Sequence, residues 1–118
     1  MQVFVLNKGT DPVPVSSVRS VSNLLTNVTA VTTGAAVALS KDLSTFQAKV
    51  AGTGTVTATV LIEVSNNGTD FILAGTITLS GTASANDGFA IAAPWAYARA
   101  RLTAITGTGA TVNVNMGV

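Results

Sequence analysis

The chain has 118 residues, 47% of them apolar and 9% charged, with six Lys/Arg against five Asp/Glu for a net charge of +1. That balance is the reverse of a disordered chain's, and a single domain of this length buries roughly two-thirds of its unfolded surface. The absence of Cys and His removes disulfide scaffolds, thiol nucleophiles, cysteine zinc sites and histidine general bases, and near-neutrality removes the basic footprint of a nucleic-acid or anionic-membrane binder.

Residues 2–6 (QVFVL) read as a strand, followed by a loop over 7–14 whose Asp11-Pro12-Val13-Pro14 is extended and stiff. Two roles fit residues 1–15. The strand pairs within its own sheet, or the whole segment reaches out as an arm with Val3, Val5, Pro12 and Pro14 as partner-binding contacts. No secretion signal is readable before Lys8, so synthesis in the cytoplasm is expected. Residues 16–25 fit either a strand or a short helix. The stretches 28–33 and 35–39 read as a strand pair around Gly34, and 44–51 (STFQAKVA) as another strand.

The clearest element is 56–65 (VTATVLIEVS). It places Val56, Ala58, Val60, Ile62 and Val64 on one face against Thr57, Thr59, Glu63 and Ser65, with Leu61 the one exception. Asn66-Asn67-Gly68-Thr69-Asp70 then supplies turn formers that tolerate positive φ, and 71–79 (FILAGTITL) returns as the hairpin partner, with a bulge suggested at Gly75. Residues 80–88 are turn-rich, 89–91 read as a short strand, and Pro94 stops it. A second hairpin is predicted from 96–105 and 110–116, turned by Gly107-Thr108-Gly109. The likeness of GTGTVTATV (52–60) to GTGATVNVN (107–115) is what Gly-Thr turns before alternating strands produce. The sum is an all-β, antiparallel β-sandwich spanning 1–118 as one domain, with jelly-roll spacing for about eight strands.

Chemistry-bearing residues are few. Asp11, Asp42, Asp70 and Asp87 sit beside turn or loop residues, where Asp bonds local backbone, and no paired-carboxylate or Ser-based catalytic arrangement can be assembled. Asn66, Asn67, Asp70 and Asp87 offer oxygen ligands, but their spacing fits no calcium signature and the turn-forming role accounts for them. The outstanding surface feature is Tyr97, Arg99 and Arg101 on alternate positions, one stripe of large polar side chains in a chain nearly without charge. They either meet a carboxylate-rich partner or a sugar ring, or pair with Glu63 or Asp70 and cover apolar surface with their stems. Trp95 reads as a core plug at a strand end, with a ligand platform as the other reading.

The run EVSNNGTDF (63–71), GTITLSG (75–81), DGF (87–89) and APWAYARARLTAITGTGATV (93–112) resembles small structural proteins of tailed bacteriophages, in particular the jelly-roll decoration or cement proteins of the head. The similarity covers roughly residues 55–118. It implies a non-enzymatic virion protein, made in the host cytoplasm and resident on the head surface, that binds and stabilises the shell of major capsid protein and itself forms a dimer or trimer. No catalytic residue comes with it, and no cofactor, metal, nucleic-acid or membrane partner is expected. The SNNG hairpin is also similar to that of discoidin-like sugar-binding domains. A carbohydrate-binding β-sandwich, or a tail- or fibre-associated virion component, is therefore the alternative.

Overall fold

The computed structural model describes residues 20–39 and 42–118. The proposed N-terminal strand and arm, with Val3, Val5, Pro12 and Pro14, lie outside the described residues. What is described is all-β and antiparallel: β1 (Val21–Val28), β2 (Thr32–Thr33), β3 (Val37–Ala38), β4 (Leu43–Ser65), β5 (Ile72–Ala92) and β6 (Tyr97–Gly117), in sheet order β1-β6-β4-β5 with β2 and β3 also on β6. The segment that fits strand or helix by sequence is strand from Val21 onward. The stretches either side of Gly34 do not pair with each other. Each lies on β6, Thr33 opposite Arg101 and Val37 opposite Ala98, because Gly34 N–H donates to the Ala100 carbonyl at 2.8 Å and keeps the chain on that strand.

The second predicted hairpin is corrected. Gly107-Thr108-Gly109 does not reverse the chain: residues 97–117 are one strand, and both of its halves run beside β4. Likewise the turn-rich stretch 80–88 lies inside β5, with Asp87 opposite Ala48 rather than in a loop. The Gly and small residues act as bulges instead. Between Ala51 and Thr55, β4 has three residues where β5 has only Ala83, and the β4–β6 register shifts on both sides of the Thr53–Thr108 pair. Gly54, Ala83, Gly107 and Gly109 all have positive φ (72°, 67°, 123° and 63°). The two similar Gly-Thr-Gly motifs are thus neighbours on adjacent strands, part of one row of irregularities across the sheet that adds local twist and bend.

At that row the sheet folds back on itself. Gly75 is paired with Ile62, and Phe89 with Phe46, sixteen residues apart along β4. Yet a Cβ on Gly75 would lie 2.6 Å from the Phe89 ring. Two levels so distant along one strand touch only if the half of the sheet before the row faces the half after it. Gly34 reports the same closure, since its Cβ would approach both the Leu24 carbonyl of β1 and the Ala100 carbonyl of β6. The apolar face is enclosed between the halves. Phe46, Val50, Val56, Val60, Ile62, Leu102, Val112, Val114 and Met116 are each at most 1% exposed, with Leu24, Leu25, Ile77 and Leu79 completing the core. Each such side chain contributes about 1.5–3 kcal/mol by leaving water. The bend keeps β4's even-numbered residues inside on both sides of it, so a single alternation serves both halves.

Two results are expected from urea unfolding. Gly75→Ala drives a methyl into the Phe89 ring and costs about 1–3 kcal/mol. Phe89→Leu removes the clash, so the double mutant shows a coupling of at least about 0.5 kcal/mol; strict additivity would mean that the two halves do not touch. Ser44 has a buried hydroxyl with no partner among the described residues, so Ser44→Ala is neutral or stabilising, by up to about 1 kcal/mol.

Candidate functional site

The two outer faces of the folded sheet differ in chemistry. On one, β1 and the C-terminal half of β6 present amides: Asn113 Nδ2 donates to Asn27 Oδ1 (3.3 Å), Asn27 N–H donates to Asn113 Oδ1 (2.9 Å), and Asn115 Nδ2 donates to Asn23 Oδ1 (3.2 Å). These groups satisfy one another. On the other face, the N-terminal half of β6 carries Tyr97, Arg99 and Arg101 next to β4, where antiparallel register sets Ser65 opposite Tyr97, Glu63 opposite Arg99 and Leu61 opposite Arg101. Period-two alternation alone puts these three β6 side chains on one face.

Glu63 is the hub. Its Oε1 accepts from Arg99 Nε at 2.8 Å and its Oε2 from Arg101 Nη1 at 3.2 Å, with the carboxylate side chain only 10% exposed. Of the two acidic partners open from sequence, Glu63 is the one used. Asp70 instead accepts from Asn67 Nδ2 at 3.0 Å in the turn. The Arg99 guanidinium also lies 3.9 Å from the centroid of the Phe71 ring, a cation–π contact that covers one of its planes. By sequence Phe71 is part of the SNNGTDF hairpin motif, with no contact to Arg99 expected. Its signal was its position directly after the NNGTD turn, which carries the returning chain back beside Glu63.

The turn itself is closed. Ser65 Oγ accepts from the Asn67 and Gly68 amides (3.1 and 3.0 Å) and donates to Asn67 Oδ1 (3.0 Å). Asn67 Oδ1 accepts from the Thr69 and Asp70 amides (2.9 and 2.8 Å). Asn66 Oδ1 accepts from Ala96 N–H at 3.3 Å, tying the turn to the Pro94 loop. These side chains are used in holding backbone, and Asp87, whose Oδ1 accepts from Gly88 N–H, lies within β5 opposite Ala48. Among the described residues no group of three or more acidic side chains is gathered as a metal would need. Tyr97 is half-buried, with its ring 3.4 Å from where a Cβ on Gly68 would stand. Trp95 is half-buried against the core and lines a cavity of about 250 Å³ with Asn66, Ala93 and Pro94.

Of the three stripe residues, then, only Arg101 is open. Its side chain is 47% exposed and lines an open groove of about 320 Å³ with Val31, Thr32, Thr33, Leu102 and Thr103. The groove residues of β2 fall within the 28–33 stretch read as a strand, but their place beside Arg101 was not legible because the sequence paired that stretch with 35–39 rather than with β6. Exposed Leu73, in register with Glu63, flanks the cluster on the β5 side.

No family model matches the chain, and neither the curated proteins nor the solved structures contain a match.

Replacing Glu63 by Gln removes the shared counter-charge and turns one of its two acceptor oxygens into a donor facing a guanidinium, and is expected to cost about 2 kcal/mol in urea unfolding. Arg101→Gln removes the longer and more exposed half of the cluster and is expected to cost less than about 1 kcal/mol. Equal costs for the two variants would mean that Glu63 is not the hub.

Proposed function

We propose that this chain is a non-enzymatic structural protein of a bacteriophage virion, a head decoration or cement protein that binds the major capsid protein shell as a dimer or trimer. The observation that carries the reading is the arrangement of the folded sheet. Counting each long strand as two halves, one layer is β1, the second half of β6, the first half of β4 and the second half of β5. The facing layer is β2 with β3, the first half of β6, the second half of β4 and the first half of β5. We read eight half-strands in this order as the path of a jelly roll, the architecture that the resemblance over residues 55–118 implies and one common in capsid components.

Two surface features support binding as its mode of action. Among the described residues β5 has β4 on one side only and is the edge strand of both layers, with Asp87 its sole charge. Edges of that kind accept a strand from a neighbouring chain. The Glu63–Arg99–Arg101 cluster adds a fixed polar feature to a face that also carries exposed Leu73. The sugar-binding alternative has less behind it: the Asn66 and Asn67 side-chain oxygens are engaged by backbone amides, Asp70 accepts from Asn67 Nδ2, and Trp95 is packed against the core. A sugar site needs an exposed aromatic platform with free polar groups around it.

Quantitative mass spectrometry of density-purified particles tests the reading. Many copies per particle, in fixed ratio to the major shell protein, are expected. A few copies would place the chain in the tail or its fibres, and absence from the particles would overturn the virion assignment.

A further inference from the structure

We propose that Arg101 receives a carboxylate side chain, an aspartate or glutamate carried on an extended segment of the partner protein, in the groove between β2 and β6. The inference rests on the reading of the chain as a binding protein and names the chemistry its partner must present.

Charge is the first argument. Among the described residues two guanidiniums share one carboxylate on this face, which leaves the cluster one positive charge in excess. The deficit belongs to Arg101. Arg99 gives its Nε to Glu63 at the shorter distance, 2.8 Å, and has a ring plane against it. Arg101 gives Glu63 one Nη1 bond at 3.2 Å, and among the described residues no second acceptor meets it. A guanidinium has five N–H donors in a planar fork that matches a carboxylate, so most of that capacity faces outward.

The surroundings are the second argument. Thr33 is directly opposite Arg101 in the ladder and Thr32 opposite Leu102, both of them exposed. The groove therefore combines one cation and threonine hydroxyls with the apolar wall of Val31, which is 60% exposed. Neutral hydroxyls beside a half-exposed arginine suit a carboxylate on a short aliphatic stem. They hold no negative charge that would repel it, and the nearest carboxylate, Glu63, is already neutralised. Among the described residues β2 is also an outer strand of its layer, so a partner segment laid along it would bring alternate side chains to the level of Arg101.

The test uses the full chain, isotope-labelled at arginine and backbone nitrogens, and two blocked peptides, Thr-Val-Glu-Val-Thr and its Gln counterpart. The Glu peptide is expected to shift the Arg101 Nε–H and the Thr32 and Thr33 amides. It should bind about fivefold or more tightly than the Gln peptide at low salt, with the difference shrinking as salt rises. Arg101→Gln is expected to abolish the discrimination with amide shifts elsewhere unchanged, and Arg101→Lys to restore part of it as a point charge. Equal binding of the two peptides, or discrimination that survives in Arg101→Gln, overturns the proposal. Particles loaded with wild-type chain and with Arg101→Gln separate the two levels. Equal loading refutes the carboxylate contact and leaves the virion reading standing. If neither loads, the virion reading falls and the peptide result alone decides for Arg101.

Discussion

Three long neighbouring strands with one apolar face cannot stay flat in water, and the need to cover that face organises the rest of the molecule. There is no helix among the described residues to lay over it. The sheet can only cover itself, and to do so all three strands must bend at the same level. A bend in one alone would tear its ladder with the others. Gly52-Thr53-Gly54, Ala83 and Gly107-Thr108-Gly109 meet that requirement together, with positive φ at Gly54, Ala83, Gly107 and Gly109. Gly supplies this conformation at little steric cost, whereas Ala83 adopts it against its own preference. A strained Ala persists where its neighbours over-determine it, and here the β4 bulge directly across the ladder does so.

Closing the sheet on its apolar side turns its polar sides outward, and the charge-poor composition then decides how the two outer faces differ. With so few ionisable residues, a polar face must satisfy itself through amides and hydroxyls, as the Asn23, Asn27, Asn113 and Asn115 pairs do. The opposite face instead concentrates a fifth of the chain's acids and a third of its bases into the single group of Glu63, Arg99 and Arg101. The group is held by cross-strand register on rigid strands rather than by loops. Its geometry is therefore fixed before any partner arrives, which lowers the ordering cost of an interaction made there.

Legibility in the sequence followed locality. The hairpin around Asn66–Asp70 was readable because both strands alternate cleanly and the turn chemistry lies between them. The pairing of Glu63 with an arginine of the 97–101 stripe was readable as one of two options, since register between sequence-distant strands fixes which acid is used. The bends were misread. Gly-Thr-Gly carries the same local signal whether the chain reverses or merely kinks, and the outcome is decided by whether the next segment finds its ladder on the old neighbour. Residues 110–116 return to β4, beside its first half, rather than to 97–105. Nothing within the local window of Gly107–Gly109 contains that information. For the same reason the stretches 28–33 and 35–39 were legible as strands but not their pairing with β6, and the groove beside Arg101 became visible only in three dimensions.

An arginine pair around one acid is also a choice about where binding free energy resides. A balanced pair on this face would be closed, with each charge spent inside the protein and little to offer a partner. An isolated arginine would be mobile, losing side-chain entropy whenever it engaged. Glu63 shared unequally between two arginines lies between these limits: Arg99 anchors the carboxylate, and the carboxylate holds Arg101 in place while leaving most of its donors outward. One charge-assisted contact of this kind is weak by itself, yet it fixes register and excludes wrongly charged neighbours. For a protein proposed to act in many copies on one shell, a modest contact repeated at every site suffices, because effective concentration multiplies what each copy gains wherever copies are linked to one another.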